Sequence, residues 1–152
     1  MKMTKKQSGF TLVELLVVIG ILAVLTAVVL VAVNPGRQLA QARDTQRRAD
    51  VNTVITSITA YMADPENNGQ LPAGLVTPCV PGPAQVIGSA LGNLDIGAIV
   101  APTYVAGIPI DPSGGTAANT GYTVCIAEVT ARRITVSAPN TEIATTMISV
   151  TR

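Results

Sequence analysis

Residues 10–33 read FTLVELLVVIGILAVLTAVVLVAV, almost wholly apolar, with one charge, Glu14. As a helix this run is about 36 Å long, enough to cross a hydrocarbon core of about 30 Å. Many of its residues are β-branched, yet a backbone in lipid must satisfy its own hydrogen bonds, so helix prevails over propensity. Asn34-Pro35-Gly36 then punctuates the chain. Proline lacks an N–H and disfavours helix at the residue before it, so a kink or short break falls there. Beyond it, Leu39, Ala42, Ala49, Val51, Val54, Ile55, Ile58, Tyr61 and Met62 are the apolar positions. From Val51 onward they recur every three or four residues and predict an amphipathic helix. It should stop near Ala63, because Asp64-Pro65 and Asn67-Asn68-Gly69 are strong terminators.

The remainder alternates differently. Residues 71–112 carry many prolines and read mainly as loop, with 85–91 ambiguous between a strand and a helical turn. Residues 121–129 and 133–137 are rich in β-branched side chains and predict two strands joined by a turn at 130–132. Residues 146–151 are a candidate third strand. An antiparallel meander packed against the amphipathic helix makes the expected fold class α+β.

Composition narrows the chemistry. Charged residues are 12% of the 152 and histidine is absent. That removes Ser-His-Asp and Cys-His catalysis, His-ligated zinc and any imidazole switch. No paired acids at a recognisable spacing, nucleophile motif or nucleotide loop stands out, so neither an enzyme nor a cofactor is expected. Two cysteines cannot complete a four-ligand metal site unaided. All three lysines, Lys2, Lys5 and Lys6, precede Gly9, and the seven arginines and nine acids follow it. Lysines ahead of an apolar span hold that end in the cytoplasm, which places the rest of the chain outside.

A cleaved secretory signal has a shorter apolar core of roughly 7–15 residues and a small-residue cleavage site. A plain signal anchor fits the length but leaves Glu14 unexplained, and an ionisable residue inside a membrane span is a functional hypothesis by default. Gly9-Phe10-Thr11-Leu12-Val13-Glu14, preceded by Lys5-Lys6 and followed by the apolar run, resembles the class III leader of type IV pilins and pseudopilins. The resemblance implies cleavage between Gly9 and Phe10 by a membrane peptidase, N-methylation of Phe10, and a role for Glu14 in filament assembly. It implies a pilin fold and the following partners: further copies of the chain, the prepilin peptidase and methyltransferase, an assembly ATPase, a platform protein, and membrane lipid before assembly. Phe10, once freed, carries an ammonium at a helix start, where the dipole disfavours it. Glu14 lies about 6 Å along the axis and can reach its own terminus or that of a neighbouring helix, setting axial register. An intrachain pair or a solvated carboxylate is the plainer alternative. Gly20, Ala23 and Ala27 share one helix face, either a close-packing seam or ordinary membrane-helix composition. Many relatives carry a proline inside the apolar run, whereas here the first is Pro35.

The expected division is a leader at 1–9, a membrane or filament-core helix at 10–33, a stalk helix at 34–63 and an extracytoplasmic head at 64–152. Arg37, Arg43, Arg47 and Arg48, diluted by Asp44 and Asp50, read as a solvated, ion-paired helix face. The expected pairs are Asp44–Arg48 and Arg47–Asp50. Lipid headgroups, neighbouring subunits and DNA are the functional alternatives; nucleic acid ranks last, because no aromatic interleaves the arginines. Cys79 and Cys125 favour a disulfide on the outer side of a membrane, with two buried thiols as the alternative. Ile108-Pro109-Ile110-Asp111-Pro112, then a glycine-rich loop to Tyr122, resembles a segment of pseudopilins that can hold calcium. Residues 113–121 contain no acid, so Asp111 reads rather as a turn former and no metal is expected.

The expected function is therefore a structural subunit of a type IV pilus-like filament. The alternative is a major pseudopilin of a type II secretion system, a short piston rather than a surface fibre. A signal-anchored protein with an adhesive or enzymatic head comes third. A covalently linked pilus is not expected, since it needs a lysine in the body and a C-terminal sorting signal.

Overall fold

The computed structural model describes residues 9–76, 78, 79 and 83–152. Helix α1 (Leu12–Val33) is followed by α2 (Pro35–Ala63), a 3-10 turn at Pro65–Asn67, β1 (Gln85–Val86), α3 (Gly97–Val100), β2 (Thr123–Glu128), β3 (Arg133–Ala138) and β4 (Ile148–Thr151). Contacts divide the chain into two units, Met1–Gln38 and Leu39–Arg152.

In the first unit, α1 is helical throughout and none of its residues is buried. Its one mid-helix hydroxyl, Thr26, donates to the Leu22 carbonyl at 2.7 Å, so it leaves no unsatisfied polar atom in the apolar surface. The expected break is a single residue. Asn34 ends α1 in a left-handed conformation (φ 47°) and its side chain accepts from the Arg37 N–H, while Pro35 occupies the first position of α2, where a missing N–H costs nothing.

In the second unit, one antiparallel sheet runs β1-β2-β3-β4. α2 lays Val51, Val54, Ile55 and Ile58 on it, all fully buried, against Val124, Ile134 and Val136 among others. Each such side chain contributes roughly 1.5–3 kcal/mol of burial. The architecture is α+β, a long apolar N-terminal helix followed by a small four-stranded sheet, and it agrees with the pilin fold. α2 ends at Ala63 because Asp64 caps the next turn, accepting from the Glu66 N–H, with Pro65 behind it.

Differences from the sequence reading lie in the head. The ambiguous stretch at 85–91 contributes only the two-residue β1 and a bridge from Ile87 to Leu94. The loop region at 71–112 also contains α3, which buries Val100. β3 runs one residue further than expected and β4 begins two residues later, at Ile148. The turn at 130–132 is present, with Arg132 left-handed (φ 51°).

Cys79 and Cys125 form a disulfide with Cα atoms 5.0 Å apart, closing a separation of 46 residues. The Cys79 N–H also donates to the Ile126 carbonyl, so the crosslink ties a proline-rich loop to β2. Replacing both cysteines by serine should lower head stability by about 4 kcal/mol on the chain-entropy account. Denaturant unfolding of the full chain in detergent reads this directly; an unchanged midpoint would mean the loop is held without the crosslink.

Candidate functional site

The chemistry of the first unit is concentrated at the start of α1. Thr11 is extended (φ −82°, ψ 151°) and its side-chain oxygen accepts from the Glu14 N–H at 3.2 Å. In return, Glu14 Oε2 accepts from the Thr11 N–H and from its hydroxyl, each at 2.8 Å. This reciprocal cap satisfies amides that a helix start leaves open, and it places a carboxylate where the dipole favours one. Phe10, immediately outside the cap, is 94% exposed. No hydrogen bond joins Phe10 to Glu14; the carboxylate turns back to Thr11 instead. Thr11 is the site residue that the sequence reading passed over, although Thr-x-x-Glu is a legible capping signal.

The second unit gathers a different set of charges. Arg47, expected on a solvated face, is completely buried. Its guanidinium grips Asp111 with two bonds, from Nε to Oδ2 at 2.7 Å and from Nη2 to Oδ1 at 3.1 Å. Nη1 donates to Asp44 Oδ1 at 2.8 Å and lies 3.1 Å from Glu142 Oε1, while Nη2 also reaches the Ser113 hydroxyl. Asp44 additionally accepts from the N–H groups of Glu142, Ile143 and Ala144. Arg43 closes the rim with a two-pronged pair to Glu142.

The expected helix pairs are therefore corrected. Asp44 pairs with Arg47 rather than Arg48, and Arg47 pairs with Asp44 and Asp111 rather than Asp50. Asp50 instead accepts the buried Tyr122 hydroxyl at 2.6 Å and the Gln46 amide at 2.7 Å. Contacts with the head decide these partners, because the helix turns this flank inward.

Asp111 does form a turn, accepting from the Ser113 N–H at 2.8 Å, but both of its oxygens are also taken by Arg47. A cation there would have to displace a guanidinium. Among the described residues, no group of three or more His, Cys, Asp or Glu side chains is placed to hold a metal ion.

The pairing shifts proton affinities. For Asp44, burial opposes ionisation, but the amides of Ala144, Ile143 and Glu142 and the Arg47 guanidinium outweigh it and hold the carboxyl far below its usual range. Asp111 is lowered in the same way, burial being overcome by Arg47 and the Ser113 amide. Glu142 falls to about 2, chiefly through Arg43 and the Ser113 hydroxyl. Bonding to Asp111 raises Arg47, which stays charged.

Residues 4–30 match a family model described as the prokaryotic N-terminal methylation motif. The chain thus carries the class III signal peptide of type IV pilin-like proteins. No curated protein and no solved structure matches the chain. The apolar helix Leu12–Val33, 22 residues, is long enough to serve as a membrane anchor.

Carboxyls that bind protons less readily in the folded chain stabilise it fully above their unfolded values of about 4. That contribution is lost as pH falls through the folded values, for Glu142 about 2. Urea unfolding of the full chain should therefore give equal midpoints at pH 7 and pH 5 and falling midpoints from pH 4 to pH 2. A flat profile over the lower interval would show that the cluster does not contribute to stability.

Proposed function

We propose that this chain is the structural subunit of a type IV pilus-like filament. On this reading a prepilin peptidase removes residues 1–9, Phe10 is N-methylated, and the processed subunit waits in the membrane, its head extracytoplasmic. Assembly machinery then moves it from lipid into a helical bundle of its own copies. The observation that carries the reading is the methylation motif at 4–30, overlapping a helix that is apolar apart from Glu14 and Thr26 and has no buried residue.

The start of α1 supports the assembly role of Glu14. An ionised carboxylate deep in lipid costs about 2.5–3.5 kcal/mol on insertion scales, less near the interface. Thr11 and the helix dipole offset part of that cost but occupy only Oε2. Among the described residues no donor occupies Oε1. Cleavage between Gly9 and Phe10 would leave the Thr11 amide intact, so the cap survives processing. The new ammonium of a neighbouring Phe10 is the complementary donor, and a charge match between otherwise featureless apolar helices sets their axial offset.

Intact mass and N-terminal sequencing of cell-associated protein test the processing. The expected start is methylated Phe10; a start at Met1 refutes it. Glu14→Ala should be inserted and cleaved yet form few or no filaments. Glu14→Gln, which keeps an oxygen acceptor for the cap, should fail to the same degree. Normal filament yield from either would remove the charge-matching role.

A further inference from the structure

β4 is the last strand of the sheet, so one of its sides has no strand neighbour. Its register shows what faces outward. Ile134 and Arg152 exchange both backbone hydrogen bonds, at 2.8 and 3.0 Å. Antiparallel pairs alternate, so Val136–Val150 and Ala138–Ile148 bond in the same way, whereas Thr135–Thr151 and Ser137–Ser149 do not. The N–H and C=O groups of Ser149 and Thr151 therefore point away from the sheet, with no partner among the described residues.

This edge borders an open groove of about 270 Å³ between β4 and α2, lined by Arg48, Asn52, Thr146, Met147, Ile148 and Ser149 among others. Arg48 is exposed, and its guanidinium has no acceptor among the described residues, unlike Arg43 and Arg47 in the turn before it. Met147 is 56% exposed. One turn beyond Asn52 on the same helix flank, Thr56 accepts from the Arg152 guanidinium, which adds a second positive charge. Sheet edges are commonly blunted by lysine, proline or a bulge. Ile148–Thr151 contains no lysine or proline and pairs in regular register.

We infer that this edge receives an extended peptide segment of a partner protein. The segment adds as a fifth strand beside β4, sets a carboxylate on Arg48 and packs an apolar side chain against Met147. Main-chain bonds to Ser149 and Thr151 supply pairing that any extended chain can use, and Arg48 supplies the acidic preference. A second copy fits poorly. Antiparallel pairing of two β4 strands about a twofold would gather Arg48 and Arg152 of both copies along one seam, where like charges oppose each other.

The test uses isotopically labelled full-length chain in detergent micelles. It is titrated with a blocked peptide Val-Thr-Glu-Thr-Val, whose Glu and Val side chains share one face of a strand, and with its counterpart carrying Lys for Glu. The acidic peptide should bind about tenfold more tightly than the basic one, as expected for one charge-assisted contact. It should also slow amide exchange at Ser149 and Thr151. Arg48→Glu should reverse the preference. Ser149→Pro removes an outward N–H that no ladder bond uses, and should abolish binding while β2 and β3 amides stay protected. If Ser149→Pro does not fold, Arg48→Glu decides alone. Equal affinity for the two peptides, protection confined to other residues, or an unreversed preference in Arg48→Glu would overturn the inference. Protection of Ser149 and Thr151 that grows with protein concentration and without peptide would assign the edge to a second copy, and would overturn it equally.

Discussion

Among the described residues no side chain of α1 is buried, and that open apolar surface is the constraint from which the rest follows. Apart from Glu14 and Thr26 its 22 residues are apolar or glycine, and none is buried. In water such a helix would associate or aggregate; in lipid its side chains are matched and its backbone satisfies itself. Lipid removes the hydrophobic reason for two such helices to associate, because tails are as apolar as leucine. Specific association then has to come from packing and from polar groups, and Glu14 is the one ionisable residue within α1. On the proposed assembly reading, the charge that sets where one copy sits against another is concentrated at that position.

The second unit meets a different problem. Its apolar core is fully served by α2 from Val51 onward, but the preceding turns bury Asp44, Arg47 and Asp50. Burying charge is costly, and a well-packed apolar replacement is often as stable or more so. What the cluster supplies is direction. The fork on Asp111 and three amides on Asp44 define one position for two segments, at 111–115 and 140–144, neither of which lies in a strand. Glycine makes the approach possible: a Cβ on Gly115 would lie 2.5 Å from the Asp111 nitrogen, and one on Gly121 2.7 Å from the Asp111 Cβ. Among the described residues no buried side-chain polar atom is left without a partner, which is the condition under which such a cluster is tolerated.

The features legible in the sequence were those decided locally. Pro35 and Asp64-Pro65 mark helix limits through their own backbones, and both ends of α2 fall there. The β-branched runs of β2 and β3 declared themselves by composition. α3, four residues long, is too short for any period to show. The fate of Arg47 was illegible for another reason. Helical spacing proposes partners on its own helix, while Asp111 lies 64 residues away and competes through burial, which no local pattern encodes. Thr11 was within reach of the capping rule. Glu14 belongs to two patterns at once, the capping signal and the methylation motif, and the second hides the first.

Those two readings of Glu14 are compatible because the carboxylate has two oxygens. Thr11 uses one, through its amide and its hydroxyl, and so fixes the direction in which the other is presented. A free glutamate on a helix surface samples several rotamers and loses that freedom on binding, at a cost of roughly 1–2 kcal/mol. A capped one has already given up much of it. On the proposed assembly reading, the same contact that starts the helix preorganises the group through which register is set, and it does so ahead of any second copy. Helix initiation and recognition of a neighbouring copy on that reading share a single residue, placed where the dipole favours its charge.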